Sequence, residues 1–200
     1  MKKIVLFGDS ITAGRFIEAV SPILVDDIKK DITRMHLETV EIINAGSRSA
    51  DTTEDGLKRL QREVLDEQPD IVTIFFGAND VAEYCLVEVE QYINNLNFMV
   101  EQIGHDKVIL ITPSYINSDK KVDRPQERLQ EYQRRVKQLG RDLSVPVVDL
   151  YKAMCSYPGS NEFLQVDGLH FSKVGYELLS ALIVQELKSK LKKIKIKEKT

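Results

Sequence analysis

Residues 3–12 read Lys3-Ile4-Val5-Leu6-Phe7-Gly8-Asp9-Ser10-Ile11-Thr12. Four apolar side chains in a row, stopped by a glycine, do not alternate as a half-exposed strand would. They fit a strand buried on both faces, and such strands belong to parallel sheets covered by helices. The polar Asp9-Ser10 that follows then stands just beyond the carboxyl end of a strand. In open parallel sheets that edge is where ligands bind.

The same pattern recurs outward along the chain. Further apolar runs are expected to form strands at 39–43, 70–76, 107–111 and 145–149. Helical periodicity fills the intervals: 17–35 with a break near Pro22, 53–67, 87–103, 124–143 and 172–191, the last with Ser172 as N-cap. In the second helix Leu57, Leu60, Val64 and Leu65 share one side. Five strands alternating with helices predict an α/β fold, a three-layer α/β/α flavodoxin-like sandwich on a five-stranded parallel sheet of order 2-1-3-4-5.

Bulk properties narrow the function classes. At 200 residues, 42% hydrophobic and 30% charged, the chain is of ordinary size and composition for one globular domain. A net charge of −3 argues against nucleic acid as the main partner. The charge is uneven: residues 188–200 hold seven Lys and one Glu, so they carry +6 and the remainder −9. The domain is therefore expected over 1–187, with 188–200 a Lys-rich, solvated helix end or tail. Cys85 and Cys155 match no metal or redox spacing, and no signal peptide or membrane span is expected, which suggests a cytoplasmic setting with reduced thiols. Apolar faces on the terminal helix suit either the core or a homodimer.

The loops after the strands carry groups suited to acyl transfer. Ser10 follows the first, Asn44-Ala45-Gly46 the second, Gly77-Ala78-Asn79-Asp80 the third and Thr112-Pro113-Ser114 the fourth. Asp167-Gly168-Leu169-His170 precedes the last helix. A serine hydroxyl becomes a strong nucleophile when a base removes its proton, and a neutral histidine oriented by a carboxylate is such a base. Ser10, His170 and Asp167 can fill these places. Gly46, with no Cβ to obstruct its N–H, and the Asn79 side-chain amide can supply oxyanion donors. Each taken singly also reads as a turn or cap residue; the combination across separate loops is what points to catalysis. His36 and His105, near helix ends, read as surface residues. Asp80 and Asp149 read as turn and strand-end carboxylates, and Asp9 as a brace for the serine turn.

These blocks resemble the GDSL or SGNH hydrolases, whose name comes from a Ser, Gly, Asn and His in successive blocks. Gly8-Asp9-Ser10-Ile11 resembles the first block, with Ile in the usual Leu position. Gly46, Gly77-Ala78-Asn79-Asp80 and Asp167-Gly168-Leu169-His170 resemble the others, in order. The resemblance implies a serine ester hydrolase: Ser10 as nucleophile, His170 as base, Asp167 as its partner. It implies an oxyanion hole of the Ser10 N–H, the Gly46 N–H and Asn79, with no metal or organic cofactor. Gly-Ala-Asn-Asp, Ile111-Thr112-Pro113 and residues 145–150 look most like the isoamyl acetate-hydrolysing branch, which implies small acyl or acetyl esters. Ser114-Tyr115 departs from the Pro-Pro common there. A thioesterase, a carbohydrate deacetylase and a non-catalytic binding module on the same fold are the alternatives. Phe16, Tyr115 and Leu169 are the expected substrate contacts, with Ile17, Tyr84 and Phe163 behind them. The expected partner is a small-molecule ester, without stable membrane insertion.

Overall fold

The computed structural model describes residues 1–197, the side chain of Lys197 excepted. The central strand is β1 (Lys2–Gly8), whose Ile4, Val5, Leu6 and Phe7 are fully buried. It pairs in parallel with β4 (Val40–Gly46) on one side and β5 (Ile71–Phe75) on the other. β6 (Val108–Ile111) and β7 (Val147–Val148) complete a five-stranded parallel sheet of order β4-β1-β5-β6-β7. Counting only these strands in chain order gives 2-1-3-4-5, as the buried-run pattern predicts. Full burial of each large apolar side chain contributes roughly 1.5–3 kcal/mol. A charge at Val5 would forfeit that gain and strand an unpaired ion in the core.

Helices lie on both faces. α2 (Ile23–Arg34) packs on α7 (Lys173–Lys197), and α4 (Val89–Ile103) packs between α3 (Thr53–Leu60) and α5 (Gln126–Asp142). Thr52 and Asp55 form a reciprocal capping box that starts α3. A π-helical turn over Gln61–Leu65 extends it toward β5.

The first predicted helix begins too early. Residues 15–20 form a small hairpin, β2 (Arg15–Phe16) against β3 (Ala19–Val20), with Ile17 at φ 58°. Pro22 then stands at the N-cap, so α2 starts only at Ile23. At the other end α7 passes the expected stop at Leu191 and reaches Lys197. The Lys-rich segment is not wholly solvated: Lys190 is buried and its Nζ donates to the Asp106 carbonyl at 2.6 Å. The part of that segment beyond 197 lies outside the described residues. A short helix α6 (Leu150–Cys155), capped by Asp149, was not anticipated. No helix among the described residues is long and apolar enough to cross a membrane, and Cys85 and Cys155 are free thiols.

Candidate active site

Ser10 opens a four-residue helix, α1 (Ser10–Ala13), directly after β1. Asp9 caps it: Oδ1 accepts from the Ile11 N–H at 2.9 Å. The Asp9 carboxyl is fully enclosed, and burial pushes its pKa up to about 7 against the Ile11 hydrogen bond. It braces the serine turn, as expected.

The Ser10 hydroxyl lies 3.0 Å from His170 Nε2, across 160 residues of chain. His170 Nδ1 lies 2.6 Å from Asp167 Oδ2. The other Asp167 oxygen accepts the backbone N–H groups of Leu169 and His170, both at 3.0 Å. The loop can curl this tightly because Gly168 takes φ +74°, a conformation that L side chains rarely adopt. Its base is anchored by Gln165, whose N–H donates to the His170 carbonyl and whose side chain donates to the carbonyls of Arg15 and Phe171.

Burial lowers the His170 pKa below its ordinary value; the Asp167 hydrogen bond and charge oppose this, and the charges of Arg15 and Lys121 add to it. Burial alone would raise the Asp167 pKa. The Leu169 N–H and the imidazole outweigh it, so the carboxyl is held below its usual range. A neutral imidazole between a serine hydroxyl and a carboxylate can withdraw the hydroxyl proton and return it to a leaving group.

Asn79 comes to the same cavity, buried, with Nδ2 donating to the Asp51 carbonyl at 3.0 Å. An amide nitrogen carries two hydrogens, which leaves one for a developing oxyanion. Its neighbour Asp80 lies in a turn, as expected, but fully buried, and it holds the start of α3 through the Thr53 N–H and hydroxyl at 2.8 and 2.5 Å. Burial brings its pKa to about 6 despite those bonds.

Gly46 is not brought to the cavity. Its N–H is taken by Asn44 Oδ1 at 2.9 Å, and Asn44 Nδ2 in turn donates to the Thr12 carbonyl. It is glycine because α1 lies on it: an added Cβ would sit 2.1 Å from the Ala13 nitrogen. Ala50 instead lines the cavity with Ser10, Asn79 and His170, and its N–H has no acceptor among the described residues. The sequence offers no side-chain signal for Ala50, since any residue but proline carries that donor.

The cavity holds about 380 Å³. Of the expected substrate contacts, Leu169 lines it and so does Tyr84. Phe16 and Tyr115 do not; Phe16 pairs with Ala19 in the hairpin, and the Tyr115 hydroxyl donates to Asn161. Ile17 is exposed, and Phe163 is buried against Tyr157. Unanticipated residues reach the cavity instead: Arg15, Arg48, Lys121 and Arg124. Arg48 sits just past the end of β4, where the sheet-edge rule could have found it; Arg15 opens the hairpin that the sequence did not reveal.

The other histidines stand apart. His36 is exposed beyond α2, whereas His105 is half-buried, with Nδ1 3.2 Å from the Leu143 carbonyl and Nε2 3.0 Å from Glu101. Asp149 caps α6 and pairs with Lys137 at 3.0 Å. Among the described residues no group of three or more His, Cys, Asp or Glu is placed to hold a metal ion. A larger cavity, about 990 Å³, opens at the opposite end of the sheet beside His105, Pro146 and Lys190. Its His105 is engaged by the Leu143 carbonyl and Glu101 rather than by the serines that line it, Ser144 and Ser189, so the smaller cavity is the candidate site.

A serine, a histidine and an aspartate in hydrogen-bonded series at the carboxyl edge of a parallel sheet form an arrangement able to carry out hydrolysis. The chain belongs to the GDSL-like lipase/acylhydrolase family, whose profile matches residues 6–178. It is a carboxylic ester hydrolase. The crystal structure of the lipase/acylhydrolase from Enterococcus faecalis superposes with a TM-score of 0.92 at 58% identity, covering 94% of this chain and 96% of that one. The isoamyl acetate-hydrolyzing esterase 1 homolog of Rattus norvegicus is 30% identical over 200 residues, 88% of this chain and 78% of the relative. The acetylxylan esterase of Geobacillus stearothermophilus is 28% identical over 163 residues, 74% of this chain and 72% of the relative.

Proposed function

We propose that this enzyme hydrolyses small carboxylic esters, short-chain acyl and acetyl esters foremost, through an acyl-enzyme on Ser10. The observation that carries the reading is the 3.0 Å contact between the Ser10 hydroxyl and an imidazole held at its other nitrogen by Asp167. Ser10 Oγ attacks the ester carbonyl as His170 Nε2 takes its proton. The oxyanion is held by the Ser10 N–H, the Asn79 amide and the Ala50 N–H. His170 then gives the proton to the departing alcohol, and water attacks the acyl-enzyme by the same route in reverse. The small cavity supports a compact ester. Two free thiols support a reducing, cytoplasmic setting.

The likeness to an acetylxylan esterase supports a second reading, removal of acetyl groups from a carbohydrate, with the same residues in the same roles.

Hydrolysis of p-nitrophenyl esters from acetate to octanoate, with Ser10→Ala beside the wild type, tests the reading. Turnover of short esters by the wild type alone is expected. Equal activity of the two proteins would remove Ser10 from the mechanism.

A further inference from the structure

Three cations on the catalytic cavity have nothing to pair with among the described residues. Arg15, Arg48 and Lys121 line it beside Ser10 and His170, yet among the described residues none of their side chains makes a hydrogen bond or ion pair. The fourth, Arg124, is spent: it is buried and donates to the Ala78 carbonyl, to Asp123 and to the Tyr84 hydroxyl. Asp123 is the one carboxylate lining the cavity, so no acidic group there remains for the other three. The chain as a whole carries −3, so this is a local concentration of positive charge and not a consequence of basic composition. Like charges gathered on a concave, partly desolvated wall repel one another and attract an anion.

We infer that the ester cleaved here carries an anionic group, a carboxylate or phosphate, on its alcohol portion, seated between Arg15 and Lys121 with Arg48 at the mouth. This rests on the esterase reading above. The side follows from the mechanism. Arg15 and Lys121 line the cavity together with His170 and their charges act on its ring, and His170 hands its proton to the leaving oxygen. The alcohol therefore departs past the imidazole that these two flank. Arg15 is fixed at its backbone, whose carbonyl accepts from Gln165 Nε2 at 3.0 Å and the Tyr176 hydroxyl at 3.1 Å. A guanidinium fork binds either oxyanion bidentately. A cavity of about 380 Å³ is near the lower end for small-molecule sites, which limits the alcohol to a small one.

Matched aryl acetates test this: para-substituted phenyl acetates bearing a carboxamide, a carboxylate, a phosphate or a trimethylammonium group, each rate divided by that ester's rate with hydroxide. For the wild type, kcat/KM for at least one anionic ester is expected to exceed the neutral one by about tenfold or more, as charge-assisted hydrogen bonds allow. The preference should shrink in about 0.5 M salt. The carboxylate and phosphate arms distinguish the two anions. In the double variant Arg15→Gln/Lys121→Gln the anionic-to-neutral ratio should fall toward one. In Lys121→Glu it should tilt toward the trimethylammonium ester. Both changes replace side chains without partners, and thermal midpoints check that the fold is retained. A wild type that cleaves the carboxamide ester as well as either anionic one overturns the proposal and leaves the esterase reading standing. A preference unmoved in both variants overturns the assignment to these residues. A preference for p-nitrophenyl succinate over butyrate, without one among the aryl acetates, overturns the placement on the alcohol side. No hydrolysis of any ester, with no labelling of Ser10 by an uncharged fluorophosphonate, removes the esterase reading and this proposal with it.

Discussion

Asp167 grips His170 with both carboxylate oxygens, one 2.6 Å from the ring nitrogen Nδ1 and the other 3.0 Å from the backbone nitrogen. The ring is thereby fixed in position and in tautomer, with Nε2 free to accept from Ser10. Asp167→Asn keeps the size and much of the backbone contact but removes the negative charge. Its amide can present a donor to Nδ1, favouring the wrong tautomer. A loss of roughly 10³–10⁴ in kcat is expected, by the general behaviour of such carboxylates. Steady-state hydrolysis of p-nitrophenyl acetate measures it. Retention of a tenth or more of wild-type kcat would take Asp167 out of the mechanism.

The same environment sets the pH profile. Burial lowers the His170 pKa and the cations Arg15 and Lys121 lower it further, while Asp167 resists. Since the neutral imidazole is the active form, kcat/KM should rise with pH and reach half its plateau below 6.5, the ordinary histidine value. Removing the Asp167 charge removes the resistance, so the midpoint of any residual activity in Asp167→Asn should move lower still. A midpoint above the ordinary value would contradict the balance of burial and cations described for this ring.

Gly46 and Asn79 answer differently to substitution. Asn79→Ala removes a side-chain donor, and a fall of roughly 10²–10³ in kcat is expected. Gly46→Ala keeps its N–H, so a residue serving only as a donor would tolerate it. Here the new Cβ would stand 2.1 Å from the Ala13 nitrogen, backbone that cannot move without displacing α1 and Ser10. A lowered thermal midpoint together with lost activity is expected. A Gly46→Ala protein with wild-type melting and turnover would show that α1 does not rest on this glycine.

The contrast between these residues marks what the sequence made legible. Buried apolar runs at 3–7 and 70–76 have no alternative but a covered parallel sheet, and the strand-end rule then located Ser10 and Asn79 at one edge. Residues 15–20 misled because spaced apolar residues suit a helix as well as a hairpin tucked under Gln165 and Tyr176, a distinction made by contacts about 150 residues away. Gly46 was read as a donor because an unhindered N–H and a close-packed glycine look alike in a sequence. Ala50 was invisible because the donor it brings to the cavity is its main-chain N–H. Asp80 was legible as a turn carboxylate but its burial was not, because nothing local says that Thr53, 27 residues earlier, will close over it.

Asp9 offers a stability measurement independent of any substrate. Its carboxyl is buried, with a pKa raised from 3.8 to about 7, principally by burial and secondarily by the charges of Asp80 and Asp51. Between those values the folded protein holds a proton that the unfolded chain does not. The neutral acid is therefore accommodated at low pH, and this contribution to stability is lost as pH rises through about 7. Asp9→Asn cannot ionise, while its side-chain oxygen can still accept from the Ile11 N–H. Relative to wild type, the variant should gain stability as pH increases from about 5 to about 8, each pKa unit being worth about 1.4 kcal/mol. Urea denaturation at several pH values gives the difference directly. A difference that stays constant across this range would mean that Asp9 is ionised in the folded protein throughout, and that the turn beneath Ser10 stabilises a buried charge.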